Sequence, residues 1–187
     1  MYRKLRNDEL GRLSTQEFKK SEKLKITVVL DNVRSQHNIG SAFRTADSFL
    51  IEKIILCGIS ATPPTAEIHK SALGAEFSVD WQYNKETLQA VEELKKEGYT
   101  IISIEQAEHS ISLDNINTAL APNNAKFLSG SKKYALVFGN EVKGVQQEVV
   151  DISDSVIEIP QFGTKHSLNI SVSVGIVLWE FCKYLHI

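Results

Sequence analysis

The stretch that decides the fold of this chain is residues 159–175, which read IPQFGTKHSLNISVSVG. Pro160 and Gly163 interrupt regular structure at its start, and short polar residues follow them. From Ile170 onward the chain carries no charged residue until Glu180. A polar, turn-rich loop that leads into an apolar segment is a common way to build a ligand pocket. The stretch therefore predicts a binding site followed by a buried element.

Two earlier stretches combine glycine with polar residues in a similar way. One is residues 38–47, which read NIGSAFRTAD, and the other is residues 136–144, which read LVFGNEVKG. Each pattern would be a weak signal alone, but three of them in order along one chain make a strong one. The three stretches are therefore interpreted together.

Taken together, the stretches resemble the three sequence motifs of the SPOUT superfamily, specifically of its TrmH-like RNA ribose methyltransferases. The similarity covers roughly residues 25 to 185. Gln161 stands where the family often has Met, at a position expected to offer its backbone to the ligand. The matching residues are Asn38, Gly40 and Arg44 in the first motif; Gly139, Asn140, Glu141 and Gly144 in the second; and Ile159, Pro160, Gly163, Ser167, Leu168, Asn169 and Ser171 in the third.

The resemblance implies a fold and a reaction. The fold would be α/β, with a parallel sheet flanked by helices and a deep trefoil knot at the C-terminal end. The reaction would transfer a methyl group from S-adenosylmethionine to a ribose 2′-hydroxyl of RNA. The family also implies a homodimer in which the second subunit completes each site.

The same resemblance assigns two sets of site residues. Arg44 is the expected catalytic residue, and its expected supporting residues are Asn38, Glu141, Ser167 and Asn169. A guanidinium is a poor base in a protein, so we expect Arg44 to clamp a phosphate and stabilise the developing oxyanion. For Glu141, a structural role in holding its own turn is an equal alternative. The residues expected to bind the cofactor are Phe138, Gly139, Asn140, Ile159, Gln161, Ser167, Leu168 and Asn169.

Length and composition indicate a single globular domain with reduced cysteines. The 187 residues fit one domain with a short arm, and a hydrophobic content of 42% supports a core. The net charge of −2 excludes a uniformly basic nucleic-acid coat but is compatible with a local basic patch. Cys57 and Cys182 are predicted to be buried thiols. A charged N-terminus and the lack of an apolar run of membrane length favour a cytoplasmic protein.

Residues 1–25 are predicted to form a basic N-terminal arm, ahead of a methyltransferase domain at residues 26–187. The arm has eight basic and four acidic residues, which give it a net charge of +4. Two interpretations stay open: a helix with solvated charges, or an arm that attracts RNA phosphates. Leu10, Leu13 and Phe18 predict a short amphipathic helix within the arm.

Strand and helix signals alternate along the remaining chain, which predicts a parallel α/β sheet. Asn38 is expected to cap the helix that follows the first strand, with Arg44 off its apolar stripe. Residues 109–133 are polar and predict a connecting loop, and Glu105 is expected to be a solvated loop acid. Strands are predicted at residues 26–30, 53–56, 79–83, 99–104, 134–138 and 156–159.

Residues 168–175 give two conflicting signals. Apolar and small polar residues alternate there, and this period alone predicts a strand. The resemblance instead implies a helix. On that interpretation residues 170–181 are apolar on nearly every side, as in a helix buried both by the sheet and by a second subunit.

The chain lacks the patterns of several other chemistries. No Gly-x-Gly and no P-loop occur, which argues against Rossmann-type and phosphate-binding glycine loops. The histidines and cysteines have no metal-ligand spacing, so no metal is expected. Ser167 and His166 are neighbours in the chain and do not make a hydrolase triad.

The predicted function is therefore ribose methylation of RNA, with tRNA favoured and ribosomal RNA second. This order reflects the separate N-terminal RNA-binding domain that family members acting on ribosomal RNA often carry. One rival is a knotted RNA-binding protein without catalysis. Another is an enzyme that methylates a base, although the third motif favours ribose.

Overall fold

The fold is built around one sheet, seen in a computed structural model that describes residues 1–116 and 128–185. Within these residues seven strands pair with their neighbours, and every pairing is parallel. The strands are β1 (Leu24–Asp31), β2 (Ile51–Cys57), β3 (Asp80–Asn84), β4 (Tyr99–Ile104), β5 (Ile111–Ser112), β6 (Lys133–Phe138) and β7 (Ser155–Glu158). Their order across the sheet is β3-β2-β1-β6-β4-β7-β5.

Helices connect the strands and cover the sheet. They are α1 (Thr15–Lys20), α2 (Gln36–Ser48), α3 (Ala66–Ala72), α4 (Ala75–Ser78), α5 (Thr87–Lys96), α6 (Gln147–Ile152) and α7 (Ile170–Leu185). Parallel strands need such crossovers, because each chain segment must return to the same end of the sheet. The predicted α/β class with a parallel sheet is confirmed.

Two apolar layers, one on each face of the sheet, explain why the central strands β1, β4 and β6 are nearly continuous apolar runs. In β1, Ile26, Val28 and Leu30 join the layer that contains α2 and α7. Val29 belongs to the other layer, with residues of α5 and α6. Since successive side chains of a strand alternate between faces, β1 contributes to both layers.

The predicted strands are present within two residues of their predicted ends, but the predicted loop at residues 109–133 is partly wrong. It contains β5, which pairs with β7 at the edge of the sheet, and a 3-10 turn, Leu113–Asn115. Leu113 and Ile116 are buried. A two-residue strand is too short for a sequence period to reveal. The rest of the predicted loop includes residues 117–127, which lie outside the described residues.

The helix implied by the resemblance for the apolar C-terminal segment is confirmed. α7 begins at Ile170, and Val174, Leu178 and Phe181 on its inner face are buried. The alternation that suggested a strand is confined to the first turns. No helix in the described residues is long and apolar enough to cross a membrane.

Ahead of β1, the N-terminal arm packs into the core through Phe18. Phe18 in α1 is only 4% exposed and packs with the larger apolar layer. Ser14 and Glu17 form a capping box that fixes the start of α1. Leu10 and Leu13 precede the helix and are 41% and 50% exposed. The predicted amphipathic helix with three apolar residues is therefore wrong except at Phe18.

Both cysteines are free and buried. Burial raises the pKa of Cys57 to about 12 and that of Cys182 to about 11. Since the thiolate is the reactive form, neither thiol is suited to nucleophilic chemistry. Both side chains belong to the core.

Candidate active site

A cavity of about 310 Å³ opens at the carboxyl ends of β4, β6 and β7. Ile104 ends β4, Phe138 ends β6 and Ile159 directly follows β7, and all three lie in the cavity wall. Ligands of open α/β sheets bind outside the carboxyl ends of the strands. The cavity therefore lies where the fold class places a binding site.

The loop after β6 forms one wall, and Asn140 holds its shape. The Asn140 side-chain oxygen accepts hydrogen bonds from the backbone N–H groups of Val142, at 3.0 Å, and Lys143, at 2.9 Å. Gly144 has a positive φ of 67°, which an L side chain rarely adopts. Gly139 approaches the other end of the loop so closely that a Cβ would lie 1.9 Å from the Gly144 carbonyl carbon.

Glu105, which follows β4, fastens this loop from the neighbouring strand. One carboxylate oxygen accepts from the backbone N–H of Val145 at 2.9 Å, and the other accepts from that of Gln106 at 2.9 Å. The expectation of a solvated loop acid is wrong for Glu105. Its carboxylate binds the loop after β6, because the loops that follow parallel strands meet at the same edge of the sheet.

The loop of residues 159–169 forms the opposite wall. The Gln106 side-chain amide donates to the carbonyl of His166 at 2.8 Å, which connects the two walls. Asn169 ends the loop and caps α7, since its side-chain oxygen accepts from the backbone N–H of Ser171 at 2.9 Å. The positive end of the α7 dipole therefore borders the cavity.

Three side chains connect the three motifs, and we call this set the Asn38 bridge. The Asn38 amide donates to Glu141 at 2.6 Å, and its oxygen accepts from the Asn169 amide at 3.3 Å. Asn38 is 8% exposed, so these bonds replace water that it loses on folding. Glu141 thus bonds to another motif, whereas Asn140 holds the turn.

The predicted cap of α2 is wrong by three residues. Ser35 occupies the N-cap position, and its hydroxyl accepts from the backbone N–H of Asn38 at 3.2 Å. A serine outside the helix can turn back to the free N–H groups. Asn38, one turn inside, is thereby left free to point its side chain at the other motifs.

Arg44 does not line the cavity. It is exposed on α2 and lines a second groove, on the side of the N-terminal arm. Arg44 follows Asn38 by six residues, which on an α-helix amounts to about 9 Å along the axis and a rotation of about 240°. The helix therefore separates the two first-motif side chains within one subunit.

The structure brings together most of the residues predicted for the cofactor. Apart from Asn169, all of them line the cavity. Several other lining residues were not among the residues predicted to bind the cofactor, and they include Glu105, Gln106, Lys143 and His166. Each stands beside a motif or at a strand end, and the rule for carboxyl ends of parallel strands could have found Glu105 and Gln106. Within residues 1–116 and 128–185, no three His, Cys, Asp or Glu side chains group as metal ligands.

Comparison with known proteins identifies the family. The SpoU rRNA Methylase family model matches residues 25–179. The chain belongs to this family, as the three motifs indicated.

Curated relatives differ in the RNA that their names give. The chain is 29% identical over 158 residues to the tRNA (guanosine(18)-2′-O)-methyltransferase of Aquifex aeolicus, covering 83% of this chain and 67% of that protein. It is 30% identical over 155 residues to the 23S rRNA (guanosine-2′-O-)-methyltransferase RlmB of Nitrosomonas europaea, covering 83% and 55%. The chain thus spans only part of each relative.

The fold matches a solved structure of an AdoMet-bound rRNA methyltransferase from Sinorhizobium meliloti. The TM-score is 0.75 at 26% sequence identity, over 90% of this chain and 60% of that one. The parallel sheet and its flanking helices are therefore shared with that protein.

The two glycines of the cavity loops provide a direct test of this geometry. Gly139→Ala should lower the free energy of unfolding by about 1–3 kcal/mol, because the methyl group would overlap the Gly144 backbone. Gly163→Ala is the matched control, since nothing lies within 4 Å of a Cβ there. Chemical denaturation of both variants should show a loss for Gly139→Ala alone, and equal stabilities would contradict the loop geometry.

Proposed function

We propose that the chain is an S-adenosylmethionine-dependent RNA methyltransferase that modifies a ribose 2′-hydroxyl. The observation that carries this proposal is the Asn38 bridge, which joins all three motifs through bonds of 2.6 Å and 3.3 Å and includes the cavity residue Glu141. Membership of the SpoU rRNA Methylase family supports the same reaction. All three motifs are intact, which favours an enzyme over a non-catalytic RNA-binding protein.

The residues around the cavity fit the cofactor. Phe138, Gly139, Asn140, Ile159, Gln161, Ser167 and Leu168 would hold it, mainly through backbone groups of the two loops. The volume of about 310 Å³ lies at the lower end of the usual range for small-molecule sites, which is roughly 300–1,000 Å³. The AdoMet-bound relative adds support. When bound, S-adenosylmethionine supplies an activated methyl group, so the protein's main task is positioning.

The remaining site residues would position the RNA and stabilise charge. The Arg44 guanidinium would clamp a phosphate while stabilising the oxyanion that develops on the 2′ oxygen. Glu141 would orient the Asn38 side chain by accepting from its amide N–H. Asn169 would donate to the Asn38 side-chain oxygen and would also cap the start of α7. Ser167 lies in the cavity wall and would contact the cofactor and the ribose.

A homodimer would resolve the separation of Arg44 from the cavity. Arg44 of one subunit would act at the cavity of the other subunit. α7 supports this arrangement, because Val172, Ile176 and Trp179 lie on one face and are 49%, 38% and 58% exposed. The spacing of four and three residues makes this a continuous apolar stripe, which suits an interface better than solvent.

The trefoil knot belongs to the same proposal. The loops after β6 and β7 both line the cavity, and threading of one through the other would explain how they stay together. The test is mechanical. Stretching the molecule from both ends would leave a tightened knot and a contour length below that of 187 extended residues, whereas full extension would refute the knot.

tRNA is the favoured substrate and ribosomal RNA the alternative, in a cytoplasmic setting. The relatives' names support both classes. We expect labelled S-adenosylmethionine, purified protein and purified tRNA to give label on a ribose, with little label in ribosomal RNA. Label in ribosomal RNA alone would reverse the order. Label on a base would overturn the ribose assignment, and absence of label in any RNA would favour the non-catalytic rival.

Arg44→Ala should separate catalysis from cofactor binding. Loss of one charged stabilising group at a developing oxyanion costs about 10²–10³-fold in turnover. Calorimetry should show S-adenosylmethionine affinity close to that of the wild type, since Arg44 lies outside the cavity. Arg44→Lys is the matched variant, which keeps the charge but loses the two-pronged geometry and should recover only part of the rate. A large loss of cofactor affinity in Arg44→Ala would instead assign Arg44 to the cofactor site.

Trp179→Glu should convert a dimer to a monomer. The new charge would lie in the apolar stripe of α7, where an interface would bury it at high cost. Ile59→Glu is the control, because Ile59 is similarly exposed, at 56% against 58% for Trp179, but lies outside α7. Sedimentation at micromolar concentration should give a dimer for the wild type and the control. A monomeric wild type would contradict the dimer.

A further inference from the structure

A second depression, which we call the arm groove, lies between the N-terminal arm and the turn that joins α3 to α4. Its volume is about 600 Å³, larger than the cavity of the candidate active site. One wall consists of arm residues 10–13, and the other includes Leu73 and Gly74. Arg44 and Asp47 of α2 lie between them. The groove therefore reaches the first motif without being part of the cofactor cavity.

Two unpaired arginines face this groove. Within the described residues, neither the Arg12 nor the Arg44 guanidinium forms a hydrogen bond or an ion pair, and Arg12 is the one basic arm residue in the groove lining. The other two arginines of the arm are paired with acids, Arg3 with Glu9 and Arg6 with Asp8. Arg3 forms a two-pronged pair with Glu9, at 2.9 Å and 3.0 Å. Two free guanidiniums in one groove are suited to phosphate.

The Lys23 ammonium is also bound within the arm and is not available to a ligand. Its ammonium donates to the backbone carbonyls of Phe18 and Ser21. Desolvation lowers the pKa of this lysine. Arg12 is therefore the arm residue that supplies positive charge to this groove.

The groove has apolar surface beside the arginines. Leu10, Leu13 and Leu73 are 41%, 50% and 66% exposed and all line it. Leu73 adopts a left-handed φ of 53°, so the turn directs it outward in place of continuing α3. Exposed apolar side chains next to guanidiniums match a nucleotide, which has an apolar base face and a charged phosphate.

Contacts between the elements keep the groove in shape. The turn between α3 and α4 is closed by a hydrogen bond between His69 and the buried Glu76. Ser78 of α4 donates to Asp47 of α2. α2 and α3 meet so closely at Gly40 that a Cβ there would lie 2.1 Å from the Ser71 hydroxyl. Arg44 and the α3–α4 wall are therefore fixed relative to each other.

We propose that the arm groove binds a single-stranded segment of the RNA substrate next to the modified nucleotide. Arg12 and Arg44 hold phosphates, and Leu10, Leu13 and Leu73 pack against a base. The proposal rests on the proposed function, because Arg44 connects the groove to the reacting ribose. It also commits the arm to RNA binding and identifies Arg12 as its contact residue.

Point substitutions test the proposal better than removal of the arm. Phe18 belongs to the core, so deletion of residues 1–25 would damage the fold. Affinity for a fluorescein-labelled, single-stranded oligoribonucleotide of ten nucleotides is measured over a series of salt concentrations. The proteins are the full-length wild type, Arg12→Ala, Arg12→Lys and the matched control Arg3→Ala, which removes the same charge from the same arm.

Arg12→Ala should weaken binding several-fold and reduce the slope of log affinity against log salt by about 0.7, the value for one phosphate of a single strand. Arg12→Lys should keep the slope, since the charge remains. Arg3→Ala should bind like the wild type, because Arg3 is paired with Glu9. Equal losses in Arg12→Ala and Arg3→Ala would mean that only net charge matters, and the groove would be refuted.

Leu73→Asp tests the groove from its other wall. Aspartate tolerates the left-handed backbone and the site is exposed, so the fold should persist while the carboxylate repels the RNA. RNA affinity should fall at least as far as in Arg12→Ala. A change of oligomeric state with unchanged RNA affinity would show that a second subunit fills the groove, and would overturn the proposal.

A parallel methyl-transfer assay separates the two proposals. If the wild type methylates RNA but Arg12→Ala binds RNA normally, the groove fails and the function stands. If the wild type methylates no RNA yet its RNA affinity depends on Arg12, the proposed function fails and the groove stands as an RNA site.

Discussion

The geometry of the candidate site depends on two carboxylates that accept backbone N–H groups from the loop after β6. Glu105 accepts from Val145, and Asp31 accepts from Gln146, both at 2.9 Å. Asp31 is fully buried at the end of β1 and also accepts from the Thr87 hydroxyl at 2.6 Å. A buried carboxylate is tolerated only when such donors surround it. Because parallel strands end at one edge, the carboxylate that ends β1 and the one that follows β4 can both fix the loop after β6, and the cavity follows from that position.

Once this loop is fixed, the Asn38 bridge gives the three motifs a common physical purpose. Residues more than a hundred positions apart meet through one amide, which donates to Glu141 and accepts from Asn169. An amide can do both at once, whereas a carboxylate could only accept and an ammonium could only donate. This requirement explains why an Asn opens the first motif. It also explains why the helix is capped by Ser35, since a capping Asn38 would have its side chain bound to its own backbone.

The sequence predicted the fold well because apolar runs at strand length alternate with helical spacing, and parallel sheets bury both faces of their strands. Sequence-based prediction failed where the local pattern carried no information about which distant residues are neighbours in the fold. The strand-like alternation at residues 168–175 arises because Ser171 and Ser173 lie in the first turns of α7, beside the cavity and the cap. The role of Glu105 could not be derived from its own neighbourhood, because its partner is forty residues away in the chain. Motif residues were found in the cavity, but the separation of Arg44 from it required the helix geometry.

Net charge was the least informative property of the sequence, and the structure explains why. The arm carries +4, yet Glu9 accepts both bonds of Arg3, and the ammonium of Lys23 is turned to backbone carbonyls. Exposed pairs of this kind add little stability, but they change which cations are available to a ligand. Arg12 has the same formal charge as Arg3, but among the described residues its side chain is paired with no acid. It faces the arm groove, where the lining carboxylate of Asp47 accepts from Ser78. Recognition by this arm therefore depends on where its unpaired guanidinium lies and on the apolar surface beside it, since charge alone would attract phosphate anywhere along the arm.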